Sequence, residues 1–157
     1  MKIHSSLLSL NRAIHNRKED RVVFTNGIFD LLHPGHVQLL EYARAQGDLL
    51  IVGVNTDASV RRLKGPDRPL IPLAERMEIL AAIRYVDHLI SFGEDTPARL
   101  IEGLHRIQVL VKGGDYRPED VVGRERVLRE GGKVLLFPFR TDISTTRIID
   151  RIRNSSG

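Results

Sequence analysis

The run Leu49 to Val54 is apolar without a break. Six residues are far short of the roughly 18 to 20 needed to span a bilayer. A strand with one wet face would instead alternate apolar with polar positions. An unbroken run of this length belongs to a strand covered on both sides, which is the condition of a parallel sheet packed between helices. The flanking segments fit that frame. Arg21 to Asn26 gathers β-branched and aromatic residues ahead of Asn26-Gly27 and reads as a strand. Gly35 to Gln46 carries Val37, Leu39, Leu40 and Ala43 near helical spacing, and Gly47 is expected to stop that helix in a left-handed conformation. Leu73 to Arg84 reads as a helix and His88 to Ser91 as a strand, and Thr96-Pro97 is expected to cap and open the next helix. Val109 to Val111 and Val134 to Phe137 supply further strands, with a short helix over Arg124 to Arg129 between them. A last helix, capped by Ser144, runs to about Ile152.

Right-handed crossovers turn this alternation into a doubly wound, parallel, five-stranded sheet of the Rossmann-like α/β class, whose ligands sit beyond the carboxyl ends of the strands. Residues 1–157 are expected to form one domain, with a helical segment over 1–18, a core over 19–152 and a tail over 153–157.

Composition removes several chemistries. The chain has no cysteine, which excludes disulfides, thiolate metal clusters and a thiol nucleophile, and suits a reducing, cytoplasmic setting. Lys and Arg number 24 against 20 Asp and Glu, a balance that favours anionic ligands. With aromatic residues at 5% and no tryptophan, platforms for stacking bases are few, so no nucleic-acid partner is expected, and small phosphates are the better match. No apolar run calls for a membrane partner. Neither a G-x-G-x-x-G run after the first strand nor a Walker A sequence is present.

Two segments carry chemistry. The first is Gly27 to His36, which places His33, Gly35 and His36 where the first strand turns into a helix. Bare N–H groups and partial positive charge at such an end attract phosphate, and Gly35 would let it approach the backbone. His33 and His36 would then donate to oxygens that gain charge during phosphoryl chemistry. A ligand-free helix start, or a pair of metal ligands, are the competing readings. The remaining histidines, His4, His15, His88 and His105, are scattered and supply no third ligand. The second segment is Ser144-Thr145-Thr146, three hydroxyls at a helix start flanked by Arg140 and Arg147. An ordinary cap with surface arginines explains that run on its own. Two helix-terminal anion sites on one small basic domain suit a triphosphate.

Together, the H-x-G-H at His33 to His36 and the Ile143-Ser144-Thr145-Thr146 run resemble the cytidylyltransferase-like nucleotidylyltransferases, over about Val22 to Ile152. Phe24 to Asp30, Arg62 to Gly65, Asp95-Thr96-Pro97 and Lys112 to Tyr116 look most like the D-glycero-D-manno-heptose 1-phosphate adenylyltransferase branch, with the glycerol-3-phosphate cytidylyltransferase branch similar in frame. The heptose branch is often fused to a sugar kinase, and this sequence resembles the stand-alone form.

The resemblance implies transfer of AMP from ATP to a sugar 1-phosphate, with Mg²⁺ carried by ATP and no protein metal ligands, in support of lipopolysaccharide core synthesis. It implies that His33, His36 and Lys64 act in catalysis. Thr25, Asn26, Gly27, Phe29, Gly35, Lys112 and Gly113 would border the nucleotide. Arg140 and Thr141 would flank the base, and Ser144, Thr145 and Thr146 would hold the outer phosphates. Asp30, Asn55, Asp57, Arg76 and Asp115 would serve the second substrate. A homodimer or higher homo-oligomer is compatible with this reading.

Overall fold

The computed structural model describes residues 2–15, 17, 20–139 and 144–155. In chain order the elements are β1 (Ile3–His4), α1 (Leu7–His15), β2 (Val22–Gly27), α2 (Pro34–Arg44), β3 (Leu49–Asn55), α3 (Asp57–Lys64) and α4 (Leu73–Ala82). There follow β4 (His88–Phe92), α5 (Ala98–Gly103), β5 (Val109–Gly113), α6 (Arg124–Arg129), β6 (Lys133–Phe137) and α7 (Thr145–Asn154), with a 3₁₀ turn over Pro118–Asp120.

The strands form one sheet in the order β1-β4-β3-β2-β5-β6, and every pairing is parallel. From β2 the chain winds outward through β3 and β4, then returns to the far side of β2 for β5 and β6. The direction of winding therefore reverses at the carboxyl ends of β2 and β5, the place where such sheets open a ligand crevice.

The doubly wound architecture expected from the sequence is present, and a sixth strand extends it. The first residues contribute β1 as well as a helix, because Ile3 and His4 pair with Leu89 and Ile90 along the free edge of β4. A strand of two residues carries no period to read, so it was invisible in the sequence.

Both faces of the sheet are covered, as the unbroken apolar runs require. Leu49 and Ile51 of β3 join Leu10 and Ile14 of α1, Ile101 of α5 and Val127 of α6 on one side. Leu50, Val52 and Val54 of the same strand pack on the other side with Leu40 of α2 and Leu80 of α4. Each fully buried aliphatic side chain of this kind contributes roughly 1.5 to 3 kcal/mol. No helix among the described residues is long and apolar enough to cross a membrane.

Local signals differ from expectation at three points. Gly47 is not a left-handed stop: α2 has already ended, with Ala45 in a right-handed cap. Positive φ among the described glycines falls at Gly65, Gly114, Gly123 and Gly131. Gly47 is small for a different reason, since a Cβ there would lie 2.5 Å from the Arg21 carbonyl and 2.7 Å from Val23 Cγ2. Pro97, not Thr96, is the residue that precedes the first turn of α5. Helix α3 is absent from the expected elements: Thr56 caps it, its hydroxyl accepting from the Ser59 N–H, and Asp57 opens it.

Gly47→Ala is expected to lower stability by roughly 1 to 3 kcal/mol through overpacking against a strand backbone. Urea denaturation checks this, and an unchanged midpoint would show that the approach is relieved at no cost.

Candidate active site

The site begins where β2 runs out. Asn26 and Gly27 end the strand, and the following loop holds Phe29 at φ 55 and Leu31 at φ 50. Left-handed backbone costs a non-glycine residue about 1 to 2 kcal/mol, so two such residues need compensation. Asp30, between them, supplies it. Its buried carboxylate accepts from Arg68 Nε at 2.7 Å and from the Leu70 and Ile71 N–H groups, each at 2.9 Å. Burial alone would raise the Asp30 pKa, but the two backbone N–H groups and the Arg68 guanidinium outweigh it and hold the carboxyl below its ordinary range. The Asp30 carbonyl accepts in turn from the Thr145 hydroxyl at 2.6 Å, which pins the start of α7 against this loop.

The loop ends at His33, the residue that caps α2 in extended backbone. The His33 N–H donates to His36 Nδ1 over a long 3.4 Å, and the two rings stack with centroids 3.8 Å apart. Accepting at Nδ1 leaves the proton of His36 on Nε2. Burial, reinforced by the neighbouring His33 and opposed by the charge of Asp30, pushes the His36 pKa down to about 3. Burial lowers His33 as well. At neutral pH the pair therefore acts as uncharged hydrogen-bond donors and acceptors. Gly35 sits behind them, where a Cβ would come within 3.1 Å of the His33 ring and 3.3 Å of Phe139 Cδ1.

At the far end of the chain, Ser144 caps α7 by accepting from the Arg147 N–H at 3.2 Å. The amino ends of α2 and α7, more than a hundred positions apart in sequence, open on one cleft of about 680 Å³. From the β2 side Asn26, Gly27, Phe29, Asp30, His33 and His36 line it, and from α7 Ser144, Thr145 and Thr146. Asn55 and Lys64 enter beyond β3, and Lys112 and Gly113 at the end of β5. Lys112 Nζ lies 3.5 Å from Asn26 Oδ1 and 5.0 Å from the centroid of the Tyr116 ring, and burial lowers its pKa.

Several expected residues stand elsewhere. Thr25 is buried within β2, and Gly35 behind the histidines, neither lining the cleft. Arg76 is 1% exposed, and its guanidinium donates to the Ile71 carbonyl at 2.9 Å, the Ile28 carbonyl at 2.6 Å and Asp57 at 2.6 Å. Buried Arg76 and partly exposed Asp57 thus form a brace beneath the cleft and do not line it. Asp115 is exposed outside the lining. Arg140 and Thr141 lie outside the described residues.

The sequence reading did not assign Arg68, Tyr116 or Phe139 to the site, and all three line the cleft. The polar Pro66-Asp67-Arg68-Pro69 turn marks a break between helices but not the place of its arginine, which Asp30 sets from 38 positions earlier. Nothing local marked Phe139.

Residues 24–151 match the Cytidylyltransferase-like family, and the chain belongs to it. Among its relatives is the bifunctional protein HldE of Geotalea uraniireducens, 62% identical over 136 residues, which are 87% of this chain and 28% of that protein. The bifunctional protein HldE of Shigella sonnei is 51% identical over 146 residues, 93% of this chain and 30% of that protein. The chain thus spans under a third of the length of these relatives. In fold it is similar to a lipopolysaccharide core biosynthesis protein of Thermoplasma volcanium, with a TM-score of 0.63 at 21% identity over 79% of this chain and 99% of that one. Pantothenate synthetase of Thermus thermophilus gives 0.61 at 20%, over 88% of this chain and 61% of that one.

The low His36 pKa has a consequence for stability. Between the ordinary value of 6.5 and about 3 the unfolded chain binds a proton on this ring that the native chain refuses, so stability falls as pH drops through that window. The urea midpoint of His36→Gln is expected to shift less between about pH 7.5 and pH 5 than that of the parent. His33, His4 and His88, all lowered by burial, keep a residual slope. Equal shifts in parent and variant would mean that the native ring accepts the proton freely.

Proposed function

We propose that this chain transfers the adenylyl group of ATP to D-glycero-D-manno-heptose 1-phosphate, forming ADP-heptose and pyrophosphate. The observation that carries the reading is the convergence of the α2 and α7 amino ends on one cleft. The α2 end brings the His33 and His36 rings and the α7 end the start of a helix at Ser144, Thr145 and Thr146, so together they line a cradle suited to a polyphosphate. The cytidylyltransferase-like family supports nucleotidyl transfer. The likeness of the Phe24 to Asp30 and Lys112 to Tyr116 runs to the heptose branch supports the acceptor. The bifunctional relatives, matched over under a third of their length, leave room for this stretch to carry one of two functions.

In this reaction a phosphate oxygen of the sugar attacks the α-phosphorus, and the bond from that phosphorus to the bridging β-oxygen breaks. The nucleophile is already an anion, so no general base is required, and the chain's task is alignment and charge stabilisation. Neutral His36, with its proton on Nε2, and His33 donate to phosphate oxygens as charge moves onto the leaving group. Ser144, Thr145 and Thr146 hold the outer phosphates at the start of α7. Lys64, exposed at the last turn of α3, supplies mobile positive charge. Asn26, Lys112 and Gly113 border the nucleoside, with Phe139 closing over Gly113.

Among the described residues no three His, Asp or Glu side chains lie together as a metal cage. The donor set suits a Mg²⁺ that arrives on ATP, since Asp30 is engaged by protein donors and Asp95 pairs with Arg62 at 2.8 Å. When bound, that ion would offset phosphate charge. The product would feed lipopolysaccharide core assembly in the cytoplasm.

Pyrophosphate release is expected to require both ATP and the heptose 1-phosphate when four nucleoside triphosphates are crossed with that acceptor and with glycerol 3-phosphate. Release with CTP and glycerol 3-phosphate alone would replace this reading. His33→Ala and His36→Ala are each expected to lower kcat/KM by about 10²-fold or more, as for a lost transition-state donor. A loss within about threefold would remove that residue from the transition state.

A further inference from the structure

Arg68 lines the cleft as an anchored cation. It stands in the turn between α3 and α4, 14% exposed, with its Nε on Asp30 Oδ2 at 2.7 Å. Its terminal amino groups meet no partner among the described residues, while Nε is held. The carboxylate that fixes it is itself immobile. Asp30 is 1% exposed, and the Leu70 and Ile71 N–H groups hold it from the same turn that carries Arg68. With three donors on a group that has about four lone-pair sites, Asp30 has little left to offer a ligand. Its charge would also repel a phosphate placed against it.

The other cations on this side differ. Arg76 is consumed by three protein acceptors below the cleft. Arg62 is held by Asp95 and the Gly93 carbonyl and does not line the cleft. Lys64 lines it but is exposed and makes no bond to a described residue. A nucleophile must be held at a set distance from the phosphorus it attacks, and a planar fork already held at Nε does that better than a swinging ammonium. Position agrees. The Asp30 carbonyl receives the Thr145 hydroxyl, so the residue that holds Arg68 also touches the start of α7. Arg68 therefore stands beside the polyphosphate cradle, where a second phosphate would meet strong repulsion without a cation of its own.

We propose that Arg68 binds the phosphate monoester of the acceptor, and that Asp30 is a positioning residue that aims Arg68 rather than a substrate ligand. The inference rests on the adenylyl-transfer reading for its kinetic test, and on phosphate recognition alone for its binding test.

Arg68→Ala is expected to raise the acceptor KM at least about tenfold, with the ATP KM within about twofold, and Arg68→Lys to recover part of the loss. Asp30→Asn is expected to raise the acceptor KM in the same direction. In Arg68→Ala, adding Asp30→Asn should change that KM by less than about twofold, because a residue acting through another has no further effect once the other is gone. Full additivity would overturn the positioning role. An unchanged acceptor KM in Arg68→Ala, or an equal rise for ATP, would overturn the phosphate role. Should Asp30→Asn fail to fold, the two Arg68 variants decide. Should the parent turn over neither acceptor, the function proposed above fails by itself. Calorimetric titration with inorganic phosphate then judges the inference: a loss of at least about fivefold in Arg68→Ala supports it, and equal affinity overturns it.

Discussion

The cleft depends on one knot of hydrogen bonds at Asp30. Its carboxylate gathers the 68–71 turn, its carbonyl receives the first hydroxyl of α7, and its two neighbours sit in left-handed backbone. Loops at the end of a parallel sheet have no ladder to fix them, so their relative placement must come from side chains. Here a single buried residue joins three segments distant in sequence, its carboxylate holding the 68–71 turn and its carbonyl the start of α7. The strain at Phe29 and Leu31 is local, whereas the bonds that hold it are long-range. The geometry of the His33 loop is consequently a property of the folded domain and not of the loop.

The electrostatics divide the work of the cleft in two. Burial disfavours charge on both imidazoles, and on His36 the neighbouring His33 ring, its centroid 3.8 Å away, disfavours it further. The histidines therefore offer directional donors without fixed charge. Positive charge comes from Lys64, Arg68, Lys112 and Arg147, which reach the cleft from different parts of the fold. A cleft built of cations alone would bind a polyphosphate tightly in the ground state. Neutral donors aimed at oxygens that become more negative act more in the transition state, which is the part of binding that raises rate.

What the sequence made legible follows from the range of each signal. The apolar runs at Leu49 to Val54 and Val109 to Val111, and the cap at Ser144, are written within a few residues, and the structure reproduces them with shifts of a residue or two at their ends. The convergence of His33 and His36 with Ser144 to Thr146 was legible only through the company of the two motifs. Arg76 and Arg68 show where such reading stops. Both are arginines in the stretch after β3, and nothing within that stretch says which one is buried on Asp57 and which is held at the rim by Asp30. That choice is made by Asp30 and Ile28, some forty positions earlier in the chain. Gly47 failed for the same reason, its small size answering to a strand backbone rather than to its own φ.

The brace and the clamp also explain why two arginines so close in sequence need different carboxylates. Arg76 satisfies the Ile28 carbonyl beneath the same loop whose Asp30 carboxylate grips Arg68 above it. The loop that delivers the histidines is thereby held from below by a guanidinium with no freedom and from the rim by one with a free edge. Removing the lower contact would leave the Ile28 carbonyl without its guanidinium donor and Asp57 without its partner. The upper contact can be altered with the loop still anchored by the Leu70 and Ile71 N–H groups. A cation meant for a ligand belongs at the second position, where its charge can be shared with an incoming phosphate without undoing the scaffold that presents it.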